Sequence, residues 1–365
     1  MMKLAPSSPK ANGMLIRRIL ITGKNRLMGK LIQSGRTQRP FFTRRFGNCW
    51  IRLMDEAHLK SKFKAALLGL ALGDALGAPL EFMSKPEIAL RFGTVREMTG
   101  GGWLNLEPGE GTDDTQMTVC LAESLVQKAA FDAEDVLQKF LVWYDTHPKD
   151  IGNTTQVALS LLKNNAHRRG ASKKAHEILK EKSAGNGSLM RVAPIGLMYH
   201  QHEAQLIEAS FASSKITHWD ALAAESCAAF NLILADFLHG YGQEEAILNA
   251  ADKIRPRNDL VARSIESVID KECEALQPTG FVLDTLETSL WHFYHSDSFE
   301  EAVVHAVNMG GDADTIGAVT GALSGAYFGP ESLPGRWLDV LKGKDLIENL
   351  AEKLYEVSID LDFRP

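Results

Sequence analysis

The sequence predicts an all-α fold, with residues 55–365 forming one compact domain of many helices. Three observations predict it. From about residue 59 onward, apolar residues recur at helical spacing in one stretch after another. No stretch shows the apolar–polar alternation of a half-buried strand. The breaks between stretches carry Gly and Pro, as at Glu107–Pro108–Gly109 and Gln277–Pro278–Thr279–Gly280. A chain of 365 residues with 45% apolar and 24% charged content can bury a full hydrophobic core.

The first 54 residues read as a separate segment. They hold twelve lysines and arginines and no acid, so the net charge of −6 comprises +12 from this segment and −18 from the rest. An Arg-rich, acid-poor start resembles an organelle-targeting segment. A disordered tail, or an extension upstream of a start at Met54, is the plainer reading. Ile19–Leu20–Ile21–Thr22–Gly23 has the look of a strand entering a nucleotide loop, but no βαβ unit follows. The acidic body argues against a nucleic-acid-binding surface. The four cysteines are dispersed with no CxxC pair, as expected of reduced cytoplasmic thiols. Eleven histidines include no HExxH, so zinc hydrolysis has no support.

The helical stretches follow in order. In 60–77, Gly69, Gly73 and Gly77 recur every four residues, and Asp74 interrupts the apolar run. Each glycine costs a helix about 1 kcal/mol relative to alanine, so a stripe of them implies close backbone approach. The stretch 114–129 opens on Gly111–Thr112–Asp113–Asp114–Thr115. Then come 133–145, 153–168, 171–182 and 188–199, the last starting just after Asn186–Gly187. The stretches 203–215 and 219–239 are separated by a break holding Thr217–His218. After 243–253, 258–276, 281–295 and 299–308 comes 314–328, which opens on Gly310–Gly311–Asp312–Ala313–Asp314–Thr315. It carries a second glycine stripe, Gly317, Gly321, Gly325 and Gly329. The same spacing serves membrane helix pairs, but Asp74, Asp312 and Asp314 make a membrane span a poor reading. The series ends with 343–357. Helices with these stripes belong in the core, where they would anchor Glu81, just past the first, and Asp312 and Asp314, at the start of the second.

The two acidic clusters carry the chemistry. Each gathers carboxylates and a hydroxyl within a few positions. A buried carboxylate beside another takes up a proton unless a cation holds it ionised, and hard divalent cations take oxygen ligands. The pair suggests one site for one or two metal ions, built from both ends of the fold. Taken alone, Thr112–Asp113 is a helix cap, and a DDxxD-type isoprenoid-synthase motif would lack its third acid.

At this point the chain resembles the ADP-ribosylglycohydrolase family, which includes the hydrolases that de-modify dinitrogen reductase. The matching segments are ALLGLALGDALGAPLEF at 66–82, GGGWLNLEPGEGTDDTQMT at 100–118, DIGNTT at 150–155 and GNGSLMRVAPIGL at 185–197. THWD at 217–220, GFVLDTLETSLW at 280–291 and VNMGGDADTIGAVTGALSGAYFG at 307–329 continue the series in the family's order. The resemblance implies an all-α domain with a dinuclear metal cleft. It implies two divalent cations, Mg²⁺ or alternatively Mn²⁺, on Thr112, Asp113, Asp114, Asp312, Asp314 and Thr315, with Asp314 as the bridge. It places further active-site carboxylates at Glu81 and Asp150. ADP-ribose contacts fall on Gly152, Asn153, Asn186, Gly187, Ser188 and His218. Phe281 stands where the family usually carries Tyr, keeping a ring but dropping a hydroxyl.

The resulting expectation is a metal-dependent hydrolase. It cleaves the bond between the distal ribose of ADP-ribose and an acceptor on a protein side chain or small molecule. Glu81 and Asp150 would act in proton transfer or in positioning water. The alternatives are a hydrolase of another nucleotide-like glycoside and a non-catalytic ADP-ribose-binding module. Acceptor identity, oligomeric state and the choice between a cytoplasmic and an organelle-targeted location stay open.

Overall fold

The computed structural model describes residues 44–163 and 170–361, with side chains from residue 56 onward. Most of the basic N-terminal segment, residues 1–43, lies outside the described residues. The unit from Trp50 to Pro365 is helical. Among the described residues there is no strand, only three isolated bridges, Ser84 with Gly310, Gly101 with Leu106 and Gly185 with Phe281.

Sixteen α-helices are present among the described residues. They run α1 (Arg44–Gly77), α2 (Lys85–Phe92), α3 (Asp113–Lys128), α4 (Ala133–Asp145), α5 (Asn153–Lys163) and α6 (Ala171–Ile178). Then follow α7 (Ala193–Met198), α8 (Glu203–Ser214), α9 (Ala221–Leu238), α10 (Gln243–Ile254) and α11 (Asp259–Ser267). The last five are α12 (Val282–Tyr294), α13 (Phe299–Val307), α14 (Ala313–Phe328), α15 (Gly335–Leu338) and α16 (Lys344–Asp360).

Most predicted stretches are helices, and the differences have local causes. Helix α2 was not predicted, although Ser84 and Glu87 form a reciprocal capping box and Pro86 sits in the first turn. The stretch 188–199 is helical only from Ala193, and residues 187–191 form turns in which the Asn186 carbonyl accepts from Leu189 and Met190. The stretch 171–182 stops at Ile178, because Lys180 and Glu181 adopt left-handed backbone angles and the Glu181 N–H returns to the His176 carbonyl. The stretch 258–276 stops at Ser267, and beyond it the Trp291 indole takes the Lys271 carbonyl.

The two glycine stripes pack on each other. A Cβ at Gly73 would lie 1.9 Å from the Gly317 carbonyl oxygen, and one at Gly317 would lie 2.4 Å from that of Gly73. Gly69 meets Gly321 and Gly77 meets Ala313 in the same way, so α1 and α14 run backbone to backbone. Residues 56–80 and α9 are long and apolar enough to cross a membrane, but 89% and 83% of their apolar windows are buried within the fold. They are core helices. Contact between α1 and α14 sets the end of α1 beside the start of α14, where Glu81, Asp312 and Asp314 sit.

Candidate active site

Asp74 builds the first wall of the site. It lies in the last turn of α1, fully buried, and reaches the N-terminus of α3. Its carboxylate accepts the N–H groups of Thr112 (2.9 Å) and Thr115 (3.1 Å) and the hydroxyls of Thr112 (3.0 Å) and Thr115 (2.5 Å). Helix starts leave N–H groups unpaired, and this acid satisfies two of them from another helix. Burial pushes the Asp74 carboxyl up, and the four hydrogen bonds pull it back. The Thr112 hydroxyl in turn accepts the Asp114 N–H. Asp113 and Asp114 are thereby held at the start of α3, both buried. Asp113 Oδ2 also accepts the Gly152 N–H at 3.3 Å, which ties the loop after Asp150 to this wall.

The second wall is the start of α14. The Asp312 N–H donates to the Pro278 carbonyl, and its Oδ2 accepts from the Asn186 side-chain amide at 2.8 Å. The same amide donates to Thr285 Oγ1 on α12. The Glu81 loop joins this wall through the Phe82 N–H, which donates to the Gly311 carbonyl at 2.7 Å. Phe82 has a positive φ of 64°, a strained setting for a bulky residue, and its ring is 72% exposed. Glu81 Oε2 accepts from the Trp103 indole at 2.7 Å, and the Phe82 and Trp103 rings lie 5.5 Å apart at the lip.

Between these walls is a cleft of about 730 Å³. Its acidic lining is Glu81, Asp113, Asp114, Asp150, Asp312 and Asp314, with Thr315 beside them. Gly152, Asn153, Asn186, Gly187, His218 and Phe281 line the remainder. Thirteen of the fifteen residues singled out from the sequence therefore meet in one cleft. Thr112 and Ser188 do not line it. Thr112 stands behind Asp114. Ser188 is buried in the core, its hydroxyl paired with that of Ser214 at 2.8 Å, and it opens no helix. The helix expected to open at residue 188 begins instead at Ala193, and Gly187–Ser188 form a turn.

Electrostatics set this cleft apart. Burial, reinforced by neighbouring carboxylates, pushes Asp114 and Asp314 well above the usual carboxylate range. Burial and then Asp150 push Glu81 to about 8, and the same two causes push Asp113 to about 8. Burial raises Asp150 to about 6. Among the described residues no lysine or arginine forms an ion pair with any of them. Asp114 Oδ1 and Asp314 Oδ1 are buried with no hydrogen-bond partner. One oxygen from each of Glu81, Asp312 and Asp314 falls within 4.8 Å of the others. Orphaned carboxylate oxygens converging in this way fit a hard cation with oxygen ligands.

Several residues at the site were not singled out in the sequence. Asp74 was read only as a break in an apolar run. Its signal, an acid amid a glycine stripe, lacked a known partner. Trp103 lay inside a matched segment without a role, and the structure places its indole on Glu81. Thr155 and Thr217 lay inside matched segments but were given no role.

Comparison with known proteins agrees with this geometry. The ADP-ribosylglycohydrolase family model matches residues 55–362. The ADP-ribosyl-[dinitrogen reductase] glycohydrolase of Rhodospirillum rubrum is 36% identical over 284 residues, covering 76% of this chain and 90% of the relative. An ADP-ribosylarginine hydrolase of Serratia proteamaculans is 33% identical over 319 residues, covering 85% and 83%. A solved ADP-ribosylglycohydrolase-related protein superposes with a TM-score of 0.72 at 37% identity, covering 83% of this chain and 99% of that one. With its acidic cleft at the joined ends of α1 and α14, the chain belongs to the ADP-ribosylglycohydrolase family, whose reaction is hydrolysis of an ADP-ribosyl linkage.

Proposed function

We propose that the enzyme releases ADP-ribose from an arginine-linked protein acceptor, using two divalent cations held in the acidic cleft. The observation that carries the metal reading is the pair of buried, unpartnered oxygens on Asp114 and Asp314, facing one cleft from two helix starts. The acceptor reading rests on the relatives, one named for ADP-ribosylarginine and one for ADP-ribosylated dinitrogen reductase.

The carboxylates of Asp113, Asp114, Asp312 and Asp314, with the hydroxyls of Thr112 and Thr315, would hold the cations. Mg²⁺ suits this all-oxygen set, with Mn²⁺ the alternative. Once bound, the pair supplies Lewis-acid stabilisation of charge developing at the distal ribose. The chain's own residues do the remainder. Asp74 fixes the α3 ligands by holding Thr112 and Thr115. Asn186 orients Asp312 through its amide. Burial and then Asp150 raise the proton affinity of Glu81, so it can give a proton to the leaving group or take one from the attacking water near neutral pH. The Trp103 indole holds Glu81 in place. Phe281, 40% exposed beside Gly185, offers a ring face at the far end, suited to a base.

The test is release of free ADP-ribose from arginine-, serine- and nucleic-acid-linked substrates with Mg²⁺, with Mn²⁺ and with EDTA. Metal-dependent release from the arginine linkage is the expected result. Release from serine alone would overturn the acceptor reading, and undiminished release in EDTA would overturn the metal reading.

A further inference from the structure

Beneath the cleft floor lies a buried arginine with no carboxylate partner among the described residues. Arg191 is fully buried, its guanidinium 4.6 Å from the centre of the Phe140 ring. One nitrogen reaches the Met117 sulfur, and another donates to Thr217 Oγ1 at 2.7 Å. Thr217 Oγ1 lies 2.8 Å from His218 Nδ1. Both Thr217 and His218 are buried.

The direction of this chain follows from what each group can do. A guanidinium only donates, so Thr217 Oγ1 accepts from it. The threonine's own proton then has one neighbour in reach, His218 Nδ1. If Nδ1 carried a proton instead, the hydroxyl proton would be stranded in a buried site, at a cost of about 1–3 kcal/mol. Nδ1 therefore accepts, and the neutral ring carries its proton on Nε2. The ring is neutral because burial, and then the Arg191 charge, push it down to about 3.

Gly187 shows where Nε2 points. A Cβ there would lie 3.0 Å from His218 Cε1, 3.3 Å from Nε2 and 3.1 Å from Thr155 Oγ1. One methyl there would crowd both polar groups, and glycine avoids this. Thr155 Oγ1 is buried and has no hydrogen-bond partner, and both residues line the cleft.

We propose that Arg191 and Thr217 are positioning residues that lock His218 in its Nε2–H tautomer, so that Nε2–H and the Thr155 hydroxyl together receive an anionic oxygen of the substrate's diphosphate. The lock keeps a donor at this point without placing a titrating charge there. It explains why a buried arginine is kept without a carboxylate. An acid beside Arg191 would compete for its N–H groups and leave Thr217 free to turn. The oxygen assignment rests on the reading of the cleft as an ADP-ribosyl site, whereas the tautomer lock does not.

The experiment is long-range ¹H–¹⁵N correlation spectroscopy of the His218 ring in the full-length protein at neutral pH, with and without ADP-ribose. The expected pattern is a neutral Nε2–H ring in both states, with the Nε2 proton shifting on binding. Thr217→Val should release the tautomer and raise KM and the Kd for ADP-ribose about tenfold, with kcat little changed. Thr217→Ser should restore all three. Thr155→Val should weaken ADP-ribose without altering the tautomer. An Nδ1–H ring or an imidazolium in the wild-type protein would overturn the lock. Unchanged ADP-ribose affinity in folded Thr217→Val and Thr155→Val would overturn the oxygen assignment. If no ADP-ribosylated substrate is turned over, the spectrum still decides the tautomer, which separates the two failures.

Discussion

Asp314 concentrates the residue-scale argument. It is 2% exposed, one of its oxygens is unpartnered, and it lies beside Asp312 and faces Asp114 across the cleft. Asp314→Asn should abolish cation binding by calorimetry together with turnover. Retained turnover with unchanged metal content would refute the dinuclear reading. The neighbouring carboxyls also set a pH dependence. In the cation-free protein Asp150 titrates at about 6 and Glu81 and Asp113 at about 8, whereas unfolded acids titrate at about 4. Buried His200, His218 and His292, each pushed down to about 3, oppose this below about pH 6.5, so from there to about pH 8 the folded state binds more protons than the unfolded state. Stability must fall as pH rises through that window. Thermal melts in EDTA should show Tm declining from about pH 6.5 to 8. Saturating Mg²⁺ should reverse the trend, because the cation binds the ionised carboxylates.

At the scale of elements, the junction of α1 with α14 is the most constrained contact. A Cβ at residue 73 would overlap the Gly317 carbonyl at 1.9 Å, and backbone cannot yield as a side chain can. Gly73→Ala should cost about 3 kcal/mol or more, at the severe end of overpacking. Because both helix ends carry site residues, any Gly73→Ala protein that folds should also lose cation affinity. Asp74→Asn tests the cap between α1 and α3. Its amide can accept only part of what the carboxylate accepts, and its NH₂ would face an N–H or a hydroxyl. A loss of about 2 kcal/mol in denaturant unfolding is expected, with weaker cation binding.

Two tests belong to the whole molecule. The family match begins at residue 55, close to the boundary between the basic segment and the acidic body. Removing residues 1–54 should leave kcat/KM for the ADP-ribosylated substrate within about twofold, a surface-scale perturbation. Loss of folding would show that the segment belongs to the domain. Cation binding should stabilise the entire fold, since the ligands come from helices far apart in sequence. At one hundred times Kd the gain is about 2.7 kcal/mol per site, readable as a rise in Tm on adding Mg²⁺ to chelated protein.

The helices were legible in the sequence because each needs only a local apolar face, a cap and a stop. Periodicity located α3, α4, α9, α12 and α14 to within a few residues. Helix α2 was missed because it is eight residues long, too short for periodicity to register, although its capping box was in plain view. The acidic clusters were legible as chemistry, since adjacent carboxylates demand a cation or a proton wherever they are buried. Pairing was beyond the sequence. That the glycine stripes meet each other, that Asp74 holds α3 and that Trp103 holds Glu81 are contacts between segments tens to hundreds of residues apart. No local propensity encodes them, because each depends on where two independently stable helices come to rest. Ser188 shows the same limit in reverse. As Asn-Gly-Ser it reads as the mouth of a helix, yet packing against Ser214 draws it into the core. Arg191 reads as one basic residue among forty until the fold leaves it no carboxylate partner among the described residues and gives its N–H to the Thr217 hydroxyl oxygen.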